Sequence, residues 1–139
     1  MGSPIQKSES LIRDLFEDRP FEDLYLVNKE KSVDVVIPIL HGNDLWRENL
    51  KSFFREIPIR RLLIGDAGCV DDSMRIVKEF PRVEIYNHSS VNTLGKSLAL
   101  LIEKVETENF IYLQSDVYLP SGWFEKMSNA LVEMDWVGC

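Results

Sequence analysis

The chain has 139 residues, of which 45% are apolar and 28% charged, and a net charge of −7. This composition is ordinary for a folded globular domain, and it excludes a disordered chain, a fibre and a bundle of membrane helices. The acidic excess argues against a nucleic-acid partner, because duplex-binding proteins present a basic face.

The cysteines and the length of the apolar runs indicate the cellular compartment of the protein. Cys69 and Cys139 form neither a metal-binding spacing nor a disulfide framework. No apolar run approaches the roughly 18 residues of a membrane span. We therefore expect a cytoplasmic protein with no membrane segment in this chain.

The first part of the chain differs from the rest. Leu11, Ile12, Leu15 and Phe16 predict one short amphipathic helix, which Pro20 ends. We expect residues 1–32 to form a helical appendage that packs on a domain spanning residues 33–139.

From Val33 onward, β-branched apolar runs alternate with helical stripes. The predicted strands are Val33–Ile39, Arg61–Gly65, Val83–Tyr86 and Asn109–Leu113, with a fifth beginning at Trp136. The predicted helices are Leu45–Phe54 (capped by Asn43 or Asp44), Asp71–Phe80, Leu94–Val105 and Ser121–Met134. This βα repeat predicts an α/β fold with a Rossmann-like, mainly parallel sheet and helices on both faces. Ligands of such sheets bind beyond the carboxyl ends of the strands.

The first strand ends in Pro38, Ile39 and Leu40, followed by His41. The loop lacks the G-x-G-x-x-G fingerprint, which disfavours a dinucleotide-dependent dehydrogenase. We interpret His41 as a surface residue rather than a general base.

The second strand runs into Asp66 and a turn at Gly68. A carboxylate at this position suits a ribose hydroxyl or a base edge. It equally suits a hydrogen bond within the turn, and the sequence leaves both roles open.

The loop after the third strand leads into Gly95-Lys96-Ser97, which is similar to the end of a phosphate-binding P-loop. Asp116 would then correspond to the acidic residue that holds Mg²⁺. The match is incomplete, because Ser90 stands where a P-loop has glycine. Lys96 is either a phosphate ligand at a loop-to-helix junction or an exposed lysine.

The fourth strand ends in Gln114, Ser115 and Asp116. A carboxylate at this edge can bind a divalent ion that bridges a diphosphate. The alternative is a cap for the next helix, although Pro120 and Ser121 already predict that helix start.

Taken in order, these segments resemble the nucleotide-binding half of family 2 glycosyltransferases, which have the GT-A fold. The matching segments are Val35-Val36-Ile37-Pro38, Leu50-Lys51-Ser52-Phe53, Asp66 to Ser73, Asn92 to Lys96, and Gln114 to Phe124. No single motif is specific, but their order, spacing and strand context agree with the family.

The resemblance implies a nucleoside-diphosphate sugar as ligand and an unknown acceptor. It implies that Asp66 accepts a hydrogen bond from the base, and that Asp116 with Gln114 holds Mn²⁺ or Mg²⁺ at the diphosphate. The implied nucleotide-sugar-binding residues are Pro38, Ile39, Leu40, Asp66, Gly68, Asn92, Gly95, Lys96, Ser115 and Asp116.

Several positions depart from the family pattern. Ala67 replaces an acidic residue, Cys69 replaces serine, His41 stands where asparagine is common, and Gln114 replaces the first carboxylate of D-x-D. The loss of charge at Gln114 should weaken metal binding. A non-catalytic binding or interaction module on the same fold is therefore the first alternative, and a P-loop-like nucleotide hydrolase is the second.

In the family, the catalytic base lies well beyond the D-x-D segment. No catalytic residue is accordingly assigned in this chain, and we expect a donor-binding half of a longer transferase. An apolar surface left by a missing half would favour self-association.

Overall fold

A computed structural model describes residues 23–134 and Gly138. The predicted helix at residues 11–16 and, apart from Gly138, the predicted fifth strand lie outside the described residues.

The described core is an α/β arrangement. Its strands are β1 (Val33–Ile39), β2 (Ile59–Asp66), β3 (Val83–Asn87) and β4 (Phe110–Tyr112). Its α-helices are α1 (Trp46–Glu56), α2 (Ser73–Val77), α3 (Leu94–Ile102) and α4 (Trp123–Leu131). Short 3₁₀ helices span Leu24–Leu26 and Lys29–Lys31.

The four strands form one parallel sheet in the order β3-β2-β1-β4. The predicted Rossmann-like fold class is confirmed. The chain builds outward from β1 through β2 to β3 and then returns to place β4 on the other side of β1. The reversal creates a topological switch point between β1 and β4, where open parallel sheets bind ligands.

Apolar side chains pack on both faces of the sheet, in a larger cluster on one face and a smaller cluster on the other. On the larger face, Val35 and Ile37 pack with Leu50 and Phe53 of α1. On the other face, the fully buried Val36 and other apolar residues of the sheet pack against α3. Because alternate residues of a strand point to opposite faces, β1 has helices on both sides and all of its residues are buried.

The helices differ in detail from the sequence expectations. The α-helical part of α2 ends at Val77, and Phe80 then closes a tighter turn by donating its N–H to the Val77 carbonyl. The sequence pattern places Leu101 and Ile102 on one apolar face of α3, but Leu101 is fully buried whereas Ile102, at the end of the helix, has 38% of its surface exposed. Helix α4 follows Gly122, whose positive φ of 84° turns the chain, and not a Ser121 cap.

Strand β4 is shorter than expected. Its three residues pair only with the middle of β1, and Phe110 and Tyr112 remain partly exposed. Among the described residues, no strand pairs with the outer edge of β4.

The described end of the N-terminal segment packs on the sheet domain through Arg82. The carboxylate of Asp23 accepts two hydrogen bonds of 2.8 Å from the Arg82 guanidinium, which lies 4.4 Å from the ring centre of Tyr25. None of the helices in the described residues is long and apolar enough to cross a membrane.

A buried carboxylate fixes the amino-terminal edge of the sheet. Asp34 is fully buried in β1, and it accepts hydrogen bonds from Arg60, from Arg61 and from the backbone N–H of Glu106. Its own N–H donates to the Thr107 hydroxyl at 3.0 Å. Burial raises the pKa of Asp34, but the hydrogen bonds from Arg61, Glu106 and Arg60 together outweigh burial and hold the pKa below its usual value.

Replacing this carboxylate should destabilise the fold in a pH-dependent way. At pH 7, Asp34→Asn should lower the free energy of unfolding by about 3 kcal/mol, because two arginines lose their buried partner. Since the folded-state pKa is depressed, the contribution of the carboxylate is full above the ordinary pKa of 3.8 and is lost as the pH falls further.

Urea unfolding at pH 7 and at pH 3 measures this difference. The control is Asp72→Asn, which removes an exposed ion pair with Arg75 and should change stability little. Equal losses for both variants would show that the Asp34 cluster does not hold the sheet.

Candidate functional site

Hydrogen bonds join the loops after β1, β2 and β3 at the carboxyl edge of the sheet. We call this joined surface, which comprises residues 39–42, 66–69 and 88, the ledge. The N–H of Ala67 donates to the Ile39 carbonyl at 2.9 Å, and the N–H of His88 donates to the Asp66 carbonyl at 2.8 Å. The N–H of Gly42 donates to the buried Ser73 hydroxyl at 2.7 Å. The three loops therefore hold one another in place.

The first loop offers mainly backbone to a ligand. Pro38 and Ile39 are buried in β1, whereas 61% of the surface of Leu40 is exposed. His41 is exposed as well, and its Nδ1 lies 3.4 Å from the Gly42 carbonyl oxygen. Leu40 is thus the accessible side chain among the predicted binding residues of this loop.

Asp66 organises the second loop. Its Oδ1 accepts hydrogen bonds from the N–H groups of Gly68, at 2.9 Å, and Cys69, at 2.8 Å. Burial raises the pKa of Asp66, but these backbone donors outweigh burial and hold it below the usual value. The turn role left open by the sequence is therefore present, and the ionised group also carries negative charge to the ledge.

Gly68 is required by the shape of this turn. Its φ of 106° lies in a region that residues with a Cβ rarely adopt. The conformation directs the N–H groups of Gly68 and Cys69 back to the Asp66 carboxylate.

Cys69 is not an activated thiol. Burial and the neighbouring Asp66 raise its pKa to about 12, so the sulfur remains protonated at neutral pH. Its Sγ lies 3.7 Å from the Ile39 carbonyl oxygen. The residue contributes to loop packing rather than to nucleophilic chemistry.

A buried pair of polar side chains connects the third loop to α3, and the sequence pattern did not predict it. His88 and Ser97 are both buried, and the His88 Nδ1 lies 2.6 Å from the Ser97 Oγ. They lie against Gly65, where an added Cβ would come within 2.6 Å of Ser97 Oγ and 2.7 Å of His88 Nδ1. A glycine inside a strand signals this kind of close approach, and Gly65 was the available clue.

The helix that follows presents the predicted phosphate-facing residues. Thr93 caps α3 by accepting a hydrogen bond from the Lys96 N–H at 3.1 Å. Asn92 and Lys96 line an open cavity of about 340 Å³ beside the first turns of α3. A P-loop would use the hydroxyl of Ser97 for Mg²⁺, whereas here that hydroxyl is buried and bonded to His88.

The fourth loop rests on α1. The Asn49 side-chain amide donates to the Ser115 carbonyl at 2.9 Å, and the Leu119 N–H donates to the Ser52 hydroxyl at 3.0 Å. Gln114 and Asp116 are exposed, and the Asp116 carboxylate has no hydrogen-bond partner within the described part of the chain. Asp116 therefore does not cap α4.

The donor set suits a metal only in combination with a ligand. Across residues 23–134, no group of three His, Cys, Asp or Glu side chains could hold an ion. Mg²⁺ in proteins commonly binds through one or two carboxylates while phosphates and waters complete its shell. Between β4 and α4 the chain exposes one carboxylate, Asp116, and one side-chain amide oxygen, Gln114.

The predicted residues thus fall into three neighbouring groups. Ile39, Asp66 and Gly68 belong to the ledge, and Asn92 and Lys96 border the cavity beside α3. Ser115 is bonded to α1 through its carbonyl, with the exposed Gln114 and Asp116 on either side of it. Compared with models of protein families and with curated proteins, the chain matches none. The resemblance to family 2 glycosyltransferases accordingly rests on the motifs and on their order along the chain.

Two glycines should respond oppositely to the same substitution. Gly65→Ala should lower the free energy of unfolding by about 1 to 3 kcal/mol, because its methyl group would overlap His88 and Ser97. Gly95→Ala should leave stability unchanged or raise it by up to about 1 kcal/mol, because the site is helical and nothing lies within 4 Å of the added Cβ. Urea unfolding of both variants tests this contrast, and equal effects would contradict the packing of the buried pair against β2.

Proposed function

We propose that this chain binds a nucleoside-diphosphate sugar at the carboxyl edge of its sheet, as the donor-binding part of a cytoplasmic glycosyltransferase of the family 2 type. The supporting observation is positional. Each candidate loop follows one of the four parallel strands, and the loops of Leu40 and Asp116 flank the switch point between β1 and β4.

The ledge supplies the nucleoside end of the proposed site. The exposed Leu40 covers a flat apolar base, and the ionised Asp66 accepts a hydrogen bond from a base N–H or a ribose hydroxyl. Because Asp66 Oδ1 already accepts two turn hydrogen bonds, its Oδ2 is the atom assigned to the ligand.

The diphosphate requires positive charge, since the chain carries a net charge of −7. In the proposal, Lys96 at the first turn of α3 supplies one cation. Asp116 and Gln114 would hold Mn²⁺ or Mg²⁺, and the metal would neutralise the charge that develops on the nucleoside-diphosphate leaving group.

The proposal concerns donor binding. General base catalysis requires a group within hydrogen-bond reach of the acceptor hydroxyl, and none of the described residues is assigned to it. The acceptor and its site are therefore not part of the proposal.

A non-catalytic nucleotide-binding module is the second candidate. It is favoured by Gln114 and Ala67, which carry no charge where the resembled family has carboxylates. The two candidates differ in their dependence on metal, because a module without a functional metal site binds nucleotide equally well with and without Mn²⁺.

Removing the Asp116 charge should abolish the metal-dependent part of binding. In calorimetric titrations with UDP- and GDP-sugars, Asp116→Asn should lose the affinity gained on adding Mn²⁺, at least about tenfold, or about 1.4 kcal/mol. Glu103→Gln is the matched control, since it removes an exposed carboxylate at the far end of α3.

Titration of the wild-type protein tests whether the chain binds a nucleotide sugar at all. If a folded wild type binds no UDP- or GDP-sugar with or without Mn²⁺, the proposed function is wrong. Binding that never depends on Mn²⁺ would favour the second candidate.

A substitution of Asp66 tests the nucleoside end of the proposed site separately from the metal end. Asp66→Asn keeps an oxygen for the turn hydrogen bonds of Gly68 and Cys69 but removes the charge. It should weaken nucleotide binding several-fold to the same extent with and without Mn²⁺, as measured by the same titration. A loss seen only with Mn²⁺ would place Asp66 at the metal instead.

A further inference from the structure

Helix α1 carries a polar stripe on a side where it contacts the chain beyond β4. Asn49, Ser52 and Glu56 are spaced three and four residues apart, so they lie on one face of the helix. Asn49 and Ser52 are almost completely buried. Buried polar side chains are retained where they satisfy other groups, and here those groups belong to the loop that bears Asp116.

The three side chains contact the loop in sequence. Asn49 donates to the carbonyl of Ser115, Ser52 accepts from the N–H of Leu119, and Glu56 Oε1 accepts from the N–H of Gly122 at 2.9 Å. The Ser52 hydroxyl also donates to the carbonyl of Asn49 at 2.7 Å, which couples the first two contacts.

A fourth contact closes the arrangement on the surface. The Arg55 guanidinium donates to the Tyr118 hydroxyl at 2.8 Å and lies 5.4 Å from the centre of the Tyr118 ring. The chain on both sides of Asp116 is thereby tied to α1.

The sheet cannot supply this support. Strand β4 ends at Tyr112, and the last bond to β1 runs from the Leu113 N–H to the Val36 carbonyl at 3.2 Å. Among the described residues, the hydrogen bonds to the backbone between Ser115 and Leu119 come from α1 side chains. The position of the Asp116 loop relative to the ledge is therefore set by α1.

We propose that Asn49 and Ser52 are positioning residues for ligand binding, which hold the backbone on either side of Asp116 so that its carboxylate meets a metal-bound diphosphate. This inference rests on the proposed function. It adds that Asn49 and Ser52 of α1 support the metal half of the site, whereas neither side chain is hydrogen-bonded to the ledge that forms the nucleoside half.

Each test variant removes one hydrogen bond between α1 and the loop. Asn49→Leu removes the donor to Ser115 at nearly constant size, and Ser52→Ala removes the acceptor for Leu119. The matched control is Thr107→Val, which removes a side-chain hydrogen bond of similar length to the Asp34 N–H at the opposite edge of the sheet. Two site variants keep the test decisive where one of them fails to fold.

Two measurements are made on each folded protein. Amide hydrogen exchange follows the segment 114–119, and calorimetry follows the binding of UDP and GDP with and without Mn²⁺. Asn49→Leu and Ser52→Ala should accelerate exchange in that segment and weaken Mn²⁺-dependent nucleotide binding at least tenfold. Metal-free binding should change less than twofold, and Thr107→Val should change neither quantity.

The possible failures are distinguishable. If the wild type binds Mn²⁺ with UDP or GDP and both site variants bind equally well, the positioning role is wrong while the proposed function stands. An equal loss of Mn²⁺-dependent affinity in Thr107→Val would likewise overturn the role, because general destabilisation would explain it. If the wild type binds neither nucleotide, the proposed function has failed, and the positioning role fails with it.

Discussion

The parallel pairing of β1 with both of its neighbours is the interaction on which the rest of the structure depends. Every residue of this strand is buried, and its hydrogen bonds join β2 on one side and β4 on the other. Asp34 fixes its amino end through two arginines. Its carboxyl end therefore emerges at a defined point between the loop of Asp66 and the loop of Asp116.

The charged side chains at the two edges of the sheet differ in their partners. At the amino end, Arg60 and Arg61 are committed to Asp34, Glu84 and Glu106. At the carboxyl end, Asp66 is held ionised by backbone donors, and Asp116 is exposed. In the proposal, an anionic ligand at this end depends on Lys96, on the first turn of α3 and on a metal, which is why metal dependence distinguishes the two candidate functions.

The features that the sequence predicted are those with a local cause. Runs of β-branched residues located β1, β2 and β3, and the turn role of Asp66 was foreseeable from the glycine that follows it. Features that depend on distant partners were missed. Asp34 meets residues more than twenty positions away, His88 meets Ser97 across Gly65, and Asn49 reaches a loop 66 residues further along the chain.

The same distinction explains the errors in the helices and in β4. A periodic pattern marks an apolar face, but it does not show how much of that face another element covers, so it did not distinguish the buried Leu101 from the partly exposed Ile102. The start of α4 depends on the positive φ of Gly122 and on its bond to Glu56. The candidate site was therefore predictable as a set of loops, whereas the contacts that hold those loops together were not.

Nuclear magnetic resonance mapping of the amides during titration with UDP or GDP and Mg²⁺ tests the central claim most directly. Binding at the proposed site should shift amides at residues 39–42, 66–69, 92–96 and 114–117, while amides at the amino edge near Asp34, Arg61 and Thr107 remain unchanged. Shifts confined to the amino edge, or no shifts at saturating nucleotide with the fold intact, would contradict it.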